Sequence, residues 1–399
     1  MPRHYLTLRL FFYTFLFIYE IRSVCKASYA SKQDEVFSFW LNNCPEPDWP
    51  ADHPLPLPKW GNSKPVFTIY SLGQYEELVK KIQKELQLLL KLNKYDSVTN
   101  FIRFYNYYKS ETDQSFEQFF RGYEPKLNKE ANNCVGLSLL LIGKLAQLDE
   151  FFPEISKCLY LVSCDRFLNN VDKCTTDNPD PWKTFKDHIL IALQIEIIGR
   201  KGILILDPGF LNNKVITVMD DKLSPHTGYF SAAKGPEEKI ILEMVFGRKY
   251  VEYLSYIQGE IDEHNLIYIE APYLSPISVT ERSSLVSNYR NLVTLNENGQ
   301  LLASFYVDIN EAIFSFSYYN YNSPEVKHEI KVSYETFISN EEISGNVEQF
   351  LRRLSKYFNI TKEEFITILR TLSNILKDEQ FLKYREITNN NINNIPYRN

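Results

Sequence analysis

The sequence predicts an α+β fold: a central Cys-bearing helix packed on an antiparallel sheet, with further helical segments toward both termini. Three observations carry it. Residues 131–148 are an apolar run that opens on Asn132-Asn133-Cys134 and is hydrophobic nearly all round, as a helix in the middle of a fold is. Residues 188–198 and 203–207 are apolar, β-branched runs about Gly199-Arg200-Lys201-Gly202, the pattern of two strands joined by a turn. Helical spacing flanks this core at 71–94 and again beyond 342.

Taken in order, residues 1–30 read as a secretory signal. Arg3 and Arg9 form a basic start, Leu10 to Tyr19 is apolar, and small residues follow, with a cut after Ala30 or earlier near Ala27. The alternatives are a buried strand or a membrane anchor. The apolar stretch is shorter than the about 20 residues that span a bilayer, and no other segment approaches that length, so no integral membrane span is expected. Residues 31–125 hold a proline-rich arm or loop and then helices. The first helix is 71–94, where Ser71 and Gln74 form a capping box and Leu78, Ile82, Leu86, Leu89 and Leu90 share a face. Amphipathic stretches follow at about 97–108 and 111–120.

Residues 126–235 form a cysteine-type core, discussed below, and 236–340 a β-rich region with a hairpin loop at Asn296–Gly299 between strands 301–309 and 312–318. Residues 341–386 are helical again, with a second capping box, Thr361 and Glu364, ahead of the stripe Phe365, Ile368, Leu369, Leu372 and Leu376. The Asn-rich tail, 387–399, reads as frayed.

Composition excludes more than it selects. There are 44 Lys+Arg against 50 Asp+Glu, a net charge of −6, which argues against a nucleic-acid partner. Only 14 Gly occur and no glycine-rich phosphate loop is found, so no nucleotide cofactor is expected. His53, His226, His264 and His328 are scattered without metal-ligand spacing, and there is no CxxC or HExxH; no metal is expected. Aromatics are abundant at 15%. The segments 101–108 and 314–321 read as core or interface rather than as base- or sugar-stacking surfaces. Asn359-Ile360-Thr361 is an N-glycosylation sequon.

Of six cysteines, a signal cut would remove Cys25. One of several connectivities for the rest pairs Cys164 with Cys174 and Cys44 with Cys158, leaving Cys134 as the odd thiol. Asn132 or Asn133 serves as N-cap, which puts Cys134 in the first helical turn, where the helix dipole and unpaired N–H groups favour thiolate. His188 opens a strand whose alternation places His188, Leu190, Ala192, Gln194 and Glu196 on one face. Asp207 ends the next apolar strand, where a carboxylate needs a partner. Its natural role is to orient His188 through Nδ1, so that His188 can take the Cys134 proton. A tight turn centred on Gly199–Gly202 would instead set Asp207 against Gln194, about 20 Å of strand from His188. A bulge, a register shift, strong twist or a different pairing must close that gap for the triad to form; Asp187 and Glu196 are poorer substitutes. The oxyanion hole would use the Cys134 N–H plus a second donor, with Asn132 and Asn133 as candidates.

The order Cys134, His188, Asp207, with Asp207-Pro208-Gly209-Phe210 closing the second strand, resembles the transglutaminase-like and arylamine N-acetyltransferase branch of the papain-like cysteine folds. It covers about residues 130–210. The resemblance implies a papain-like core and an acyl-enzyme on Cys134, with His188 as base and then acid and Asp207 as orienting carboxylate. The substrate would be a protein or peptide, or a small acyl or amine compound. Acyl transfer to an amine is transglutaminase-like, and transfer to water is amidase or peptidase chemistry; a signal peptide disfavours acetyl-CoA as donor. The alternative is a secreted, non-catalytic binding or structural protein on the same fold.

Overall fold

The computed structural model describes residues 48–111, 113–127, 132–168, 171, 178–231, 238–296, 299–320, 323–338, 343 and 345–395. The signal-like segment 1–30, Cys44 and Cys174 lie outside them. The chain is a mixture of helix and antiparallel sheet, as expected.

The first sheet joins β1 (Phe67–Ile69), β3 (Leu159–Asp165), β4 (His188–Ile197), β5 (Arg200–Leu206), β6 (Ile216–Met219), β7 (Phe230–Ser231), β8 (Glu238–Val245), β9 (Tyr250–Ile257) and β10 (Glu260–Tyr268). Its order is β6-β5-β4-β3-β10-β9-β8-β7, antiparallel throughout, with β1 alone pairing parallel to β4. The sheet curls until β6 approaches β8. Tyr160, Val162, Leu190, Ala192, Ile203, Val218, Val251 and Ile267 fill its inside, one residue in two along each strand.

The β4–β5 connection decides where Asp207 goes. It is a two-residue loop, Ile198-Gly199, and both residues have positive φ, 51° and 78°, the mark of a type I′ hairpin turn. Arg200 is therefore already in β5, paired with Ile197, and Leu206 sits opposite Ile191. This register differs by four residues from one centred on Gly199–Gly202. It brings Asp207 to the level of Leu190, a diagonal neighbour of His188 on the same face. Ile198 is a poor residue for this turn, because a β-branched side chain crowds the backbone at positive φ. Ile198→Asn is expected to stabilise the protein by about 1 kcal/mol in urea unfolding, since Ile198 is 63% exposed and buries little.

The second sheet is a five-stranded antiparallel meander in the order β14-β13-β12-β11-β2, built from β2 (Tyr95–Asp96), β11 (Tyr289–Leu295), β12 (Leu301–Asp308), β13 (Ile313–Asn320) and β14 (Ser323–Ser333). Many of the aromatic residues are spent on one core over this sheet. Phe305, Phe314 and Phe316 meet Phe101 and Phe104 of α2 (Val98–Ser110), Phe116, Phe119 and Phe120 of α3 (Phe116–Gly122), and Phe365 and Phe381 of the C-terminal helices. N-terminal and C-terminal helices thus share one interior.

Several helices start where the capping signals place them. α1 (Leu72–Leu92) is capped by Ser71, which accepts from the Gln74 N–H; Gln74 reaches back to the Tyr70 N–H rather than to Ser71. α4 (Cys134–Leu145) packs on β4 and on α1. After α5 (Gly345–Tyr357), α6 (Lys362–Leu376) opens with the full Thr361/Glu364 box. α7 (Glu379–Asn393) corrects the frayed tail: the Asn-rich stretch is helical to Asn393, because Ile392 and Asn389 are buried and Asn389 bonds Asn288. Residues 48–66 follow the expected extended arm, with Leu55 and Leu57 buried and Lys59 and Gly61 bonded along Pro272–Ser275.

Between the two sheets runs a buried connection that includes a π-helical turn, Pro276–Glu281, and the short helix Arg282–Val286. Two buried arginines hold its far end. Arg290 donates to the carbonyls of Ser284, Leu285 and Tyr289, and Arg385 to those of Val286 and Ser287. All but that of Tyr289, in β11, are carbonyls that a helix C-terminus leaves without intrahelical partners.

Candidate active site

Cys134 is the first residue of α4. Asn133 is its N-cap, with extended φ/ψ, and its side-chain Oδ1 accepts from the N–H groups of Val135 (2.9 Å) and Gly136 (3.4 Å). That satisfies two of the donors at the helix start and leaves the Cys134 N–H on the positive end of the dipole. The rest of the helix is buried on almost every side, so its N-terminus is fixed relative to β4.

His188 opens β4 opposite Cys164, and its Nε2 lies 3.0 Å from Asp207 Oδ1. The same oxygen accepts the Phe210 N–H at 2.9 Å, so the turn after β5 aims the carboxylate. Cys134 adjoins the same ring across Gly209. With Nε2 taken by Asp207, the nitrogen left for the thiol is Nδ1, the reverse of the expected assignment. Ring stacking holds the plane of the imidazole. Phe210 lies parallel to His188 with centroids 4.0 Å apart, and the Arg166 guanidinium sits 4.7 Å over the Phe210 ring. Burial pulls the imidazole toward neutral. The Asp207 carboxylate, by charge and by hydrogen bond, and then Cys134 reverse this and lift it to about 10. At neutral pH His188 is an imidazolium between two acceptors.

Gly209 closes the group. A Cβ on it would stand 2.5 Å from Cys134 Cβ and 2.7 Å from His188 Cε1, so its backbone is the spacer across which thiol and imidazole meet. Cys134, His188 and Asp207 are 6%, 3% and 3% exposed. The structure therefore brings all three predicted residues together. Asp187 and Glu196 do not take the place of Asp207 at the His188 ring.

Asn133 is committed elsewhere, which removes it as an oxyanion donor. Its Nδ2 donates to Glu281 Oε2 at 2.6 Å, and Glu281 Oε1 accepts from Asn100 Nδ2 at 3.1 Å. Asn132 is buried beside the helix, and its backbone carbonyl accepts the Asp96 N–H. Gly209, Phe210, Arg166 and Glu281 were not singled out from sequence. For the first two the signal was present, since Asp207-Pro208-Gly209-Phe210 ends an apolar strand. For Glu281, 148 positions from Asn133, there was none.

Cys158 and Cys164, like Cys134, are free and buried, so neither forms the bridge expected of it, and the other halves, Cys44 and Cys174, lie outside the described residues. Burial pushes both thiols up, with Glu154 adding to it at Cys158 and Asp187 at Cys164. His226 caps a turn by accepting from the Met219 N–H, and His264 pairs with Glu252. Among the described residues no cluster of His, Cys, Asp and Glu has metal-holding geometry, and no helix is long and apolar enough to cross a membrane.

No protein-family model and no curated protein matches this chain. Among solved structures, an arylamine N-acetyltransferase of Mycobacterium smegmatis carrying a cysteine-to-glutamine substitution aligns with TM-score 0.40 and 10% identity, covering 79% of this chain and 95% of that one. The arylamine N-acetyltransferase of M. tuberculosis aligns with TM-score 0.39 and 11% identity, over 77% and 92%. That of M. marinum, in complex with CoA, aligns with TM-score 0.39 and 8% identity, over 82% and 96%. A likeness of this degree leaves the site to be read from its own geometry.

Proposed function

We propose that this chain is a thiol acyl-transferase or hydrolase of transglutaminase-like type on a papain-like core. The observation that carries it is the His188 ring, bonded to the Asp207 carboxylate, set beside Cys134 across Gly209 and held as imidazolium. Such a cation beside the sulfur is the arrangement that activates a cysteine nucleophile. The thiolate attacks an amide or ester carbonyl, and the Cys134 N–H faces the developing oxyanion. His188 then gives its proton to the leaving group, leaving an acyl-enzyme. An amine or water, deprotonated by the now neutral His188, attacks this thioester and releases Cys134.

Secretion is part of the proposal, supported by the basic and apolar pattern of residues 1–30. A second reading, a non-catalytic binding or structural protein, is favoured by the depth of the three side chains. Iodoacetamide mapping of the native protein separates the two. Cys134 is expected to be alkylated at pH 7 at least about tenfold faster than Cys158 and Cys164, whose thiols burial disfavours as thiolates. Equal rates at the three cysteines would leave the second reading standing.

A further inference from the structure

We infer that Glu281 is the positioning residue of this thiol site: its Oε2 holds the Asn133 amide that caps the Cys134 helix while its Oε1 holds the Asn100 amide, so the reactivity of Cys134 depends on Glu281 being ionised. The inference rests on the thiol-enzyme reading and adds a residue that does not touch the reacting atoms. Its basis is the π-helical turn Pro276–Glu281, which braces both halves of the site. Thr280 Oγ1 donates to the Lys186 carbonyl at 2.6 Å, two residues before His188. The next residue, Glu281, accepts from Asn133 next to Cys134 and from Asn100 of α2. One dipeptide thus fixes the start of the base-bearing strand and the start of the nucleophile-bearing helix. Turns of this kind interrupt a helix at a cost and recur at functional sites.

The protonation state matters because of donor count. Asn133 and Asn100 each present an N–H to one Glu281 oxygen, and only an ionised carboxylate accepts at both. Protonation turns one oxygen into an O–H facing an N–H, and one amide loses its anchor. Asn133 Oδ1 caps the Val135 and Gly136 N–H groups, so a released Asn133 loosens the turn that carries Cys134. Glu281 is buried at 1% exposure, and this burial raises its carboxyl to about 7 against the two amides, Arg290 of β11 and Arg103 of α2, all of which favour ionisation. Tyr95 and Tyr123 also feel its charge. The site is therefore expected to tighten on going from mildly acidic to mildly basic pH. His188, lifted to about 10, does not itself change charge in that interval.

The test is the rate of iodoacetamide alkylation at Cys134 in the full-length protein, between about pH 5.5 and about pH 8.5, read by mass mapping with Cys158 and Cys164 as references. In the unmodified protein the Cys134 rate is expected to rise about tenfold through a step near pH 7. Glu281→Gln keeps the size and one acceptor but cannot titrate; the step is expected to vanish and the rate to stay at the lower level. The wild-type profile needs no variant, so a misfolded Glu281→Gln leaves the inference open to refutation. A Cys134 that outpaces the other cysteines with no step near pH 7, or with the same step in Glu281→Gln, overturns the role of Glu281 alone. A Cys134 no faster than Cys158 and Cys164 at any pH overturns the thiol-enzyme reading and this inference with it.

Discussion

Gly209→Ala is expected to abolish the selective reactivity of Cys134 and to destabilise the protein by about 1–3 kcal/mol. The added methyl would lie 2.5 Å from Cys134 Cβ, 2.7 Å from His188 Cε1 and 3.0 Å from Cys134 Cα. None of these is the free end of a flexible side chain. Relief must come from the start of α4 or from β4, each held inside a packed core. Gly209 does not have a positive φ, so the substitution adds no backbone strain and the effect is steric. Moving the thiol by about 1 Å from the imidazole costs on the order of a hundredfold in reactivity. Alkylation kinetics and the urea midpoint measure the two effects. Gly73→Ala is the matched control: its added Cβ meets nothing within 4 Å, and in α1 the change is expected to stabilise slightly. If Gly209→Ala keeps both the Cys134 rate and the midpoint, the proposed spacing between Cys134 and His188 is wrong.

What could be read ahead of the structure was local. The cap before Cys134, the Ser71 cap, the Thr361 box and the alternation along β4 each depend on residues within a few positions of one another. What could not be read depends on backbone conformation or on distant partners. The four-residue register difference at Asp207 came from a type I′ turn that uses Ile198 at φ 51°, a conformation that the side chain opposes and that only the pairing of two long apolar strands imposes. Strand alternation does not encode which nitrogen of His188 meets Asp207. The Asn-rich end of α7 is a poor helix former by propensity. Burial of Ile392 and the Asn389–Asn288 bond override that preference. The aromatic core joins Phe104, Phe316, Phe365 and Phe381, residues of four separate elements, and no periodicity within any one of them announces the others.

Asp207→Asn is expected to remove most of the selective reactivity of Cys134. The charge on Asp207 and its hydrogen bond are the main effects that raise His188 against a burial that lowers it. Asparagine keeps the shape and a hydrogen bond but removes the charge, so burial prevails and the imidazole loses its proton near neutral pH. The thiolate then has no cation beside it. A thiol with a pKa of ~8.5 is about 1% ionised at pH 6.5. Alkylation of Cys134 at that pH should fall between about tenfold and about a hundredfold, the higher intrinsic nucleophilicity of a more basic thiolate limiting the loss. The rate should recover as pH rises, whereas the wild-type protein keeps its advantage at low pH. The stability deficit should follow the same trend. A histidine raised from 6.5 to about 10 by folding adds stability that is fully present below about pH 6.5 and is lost as pH rises through about 10. The variant lacks that contribution, so its unfolding midpoint should lie furthest below wild type near pH 6 and approach it toward pH 10. Equal alkylation rates for the two proteins at pH 6.5 would mean that Asp207 does not support the charge on His188.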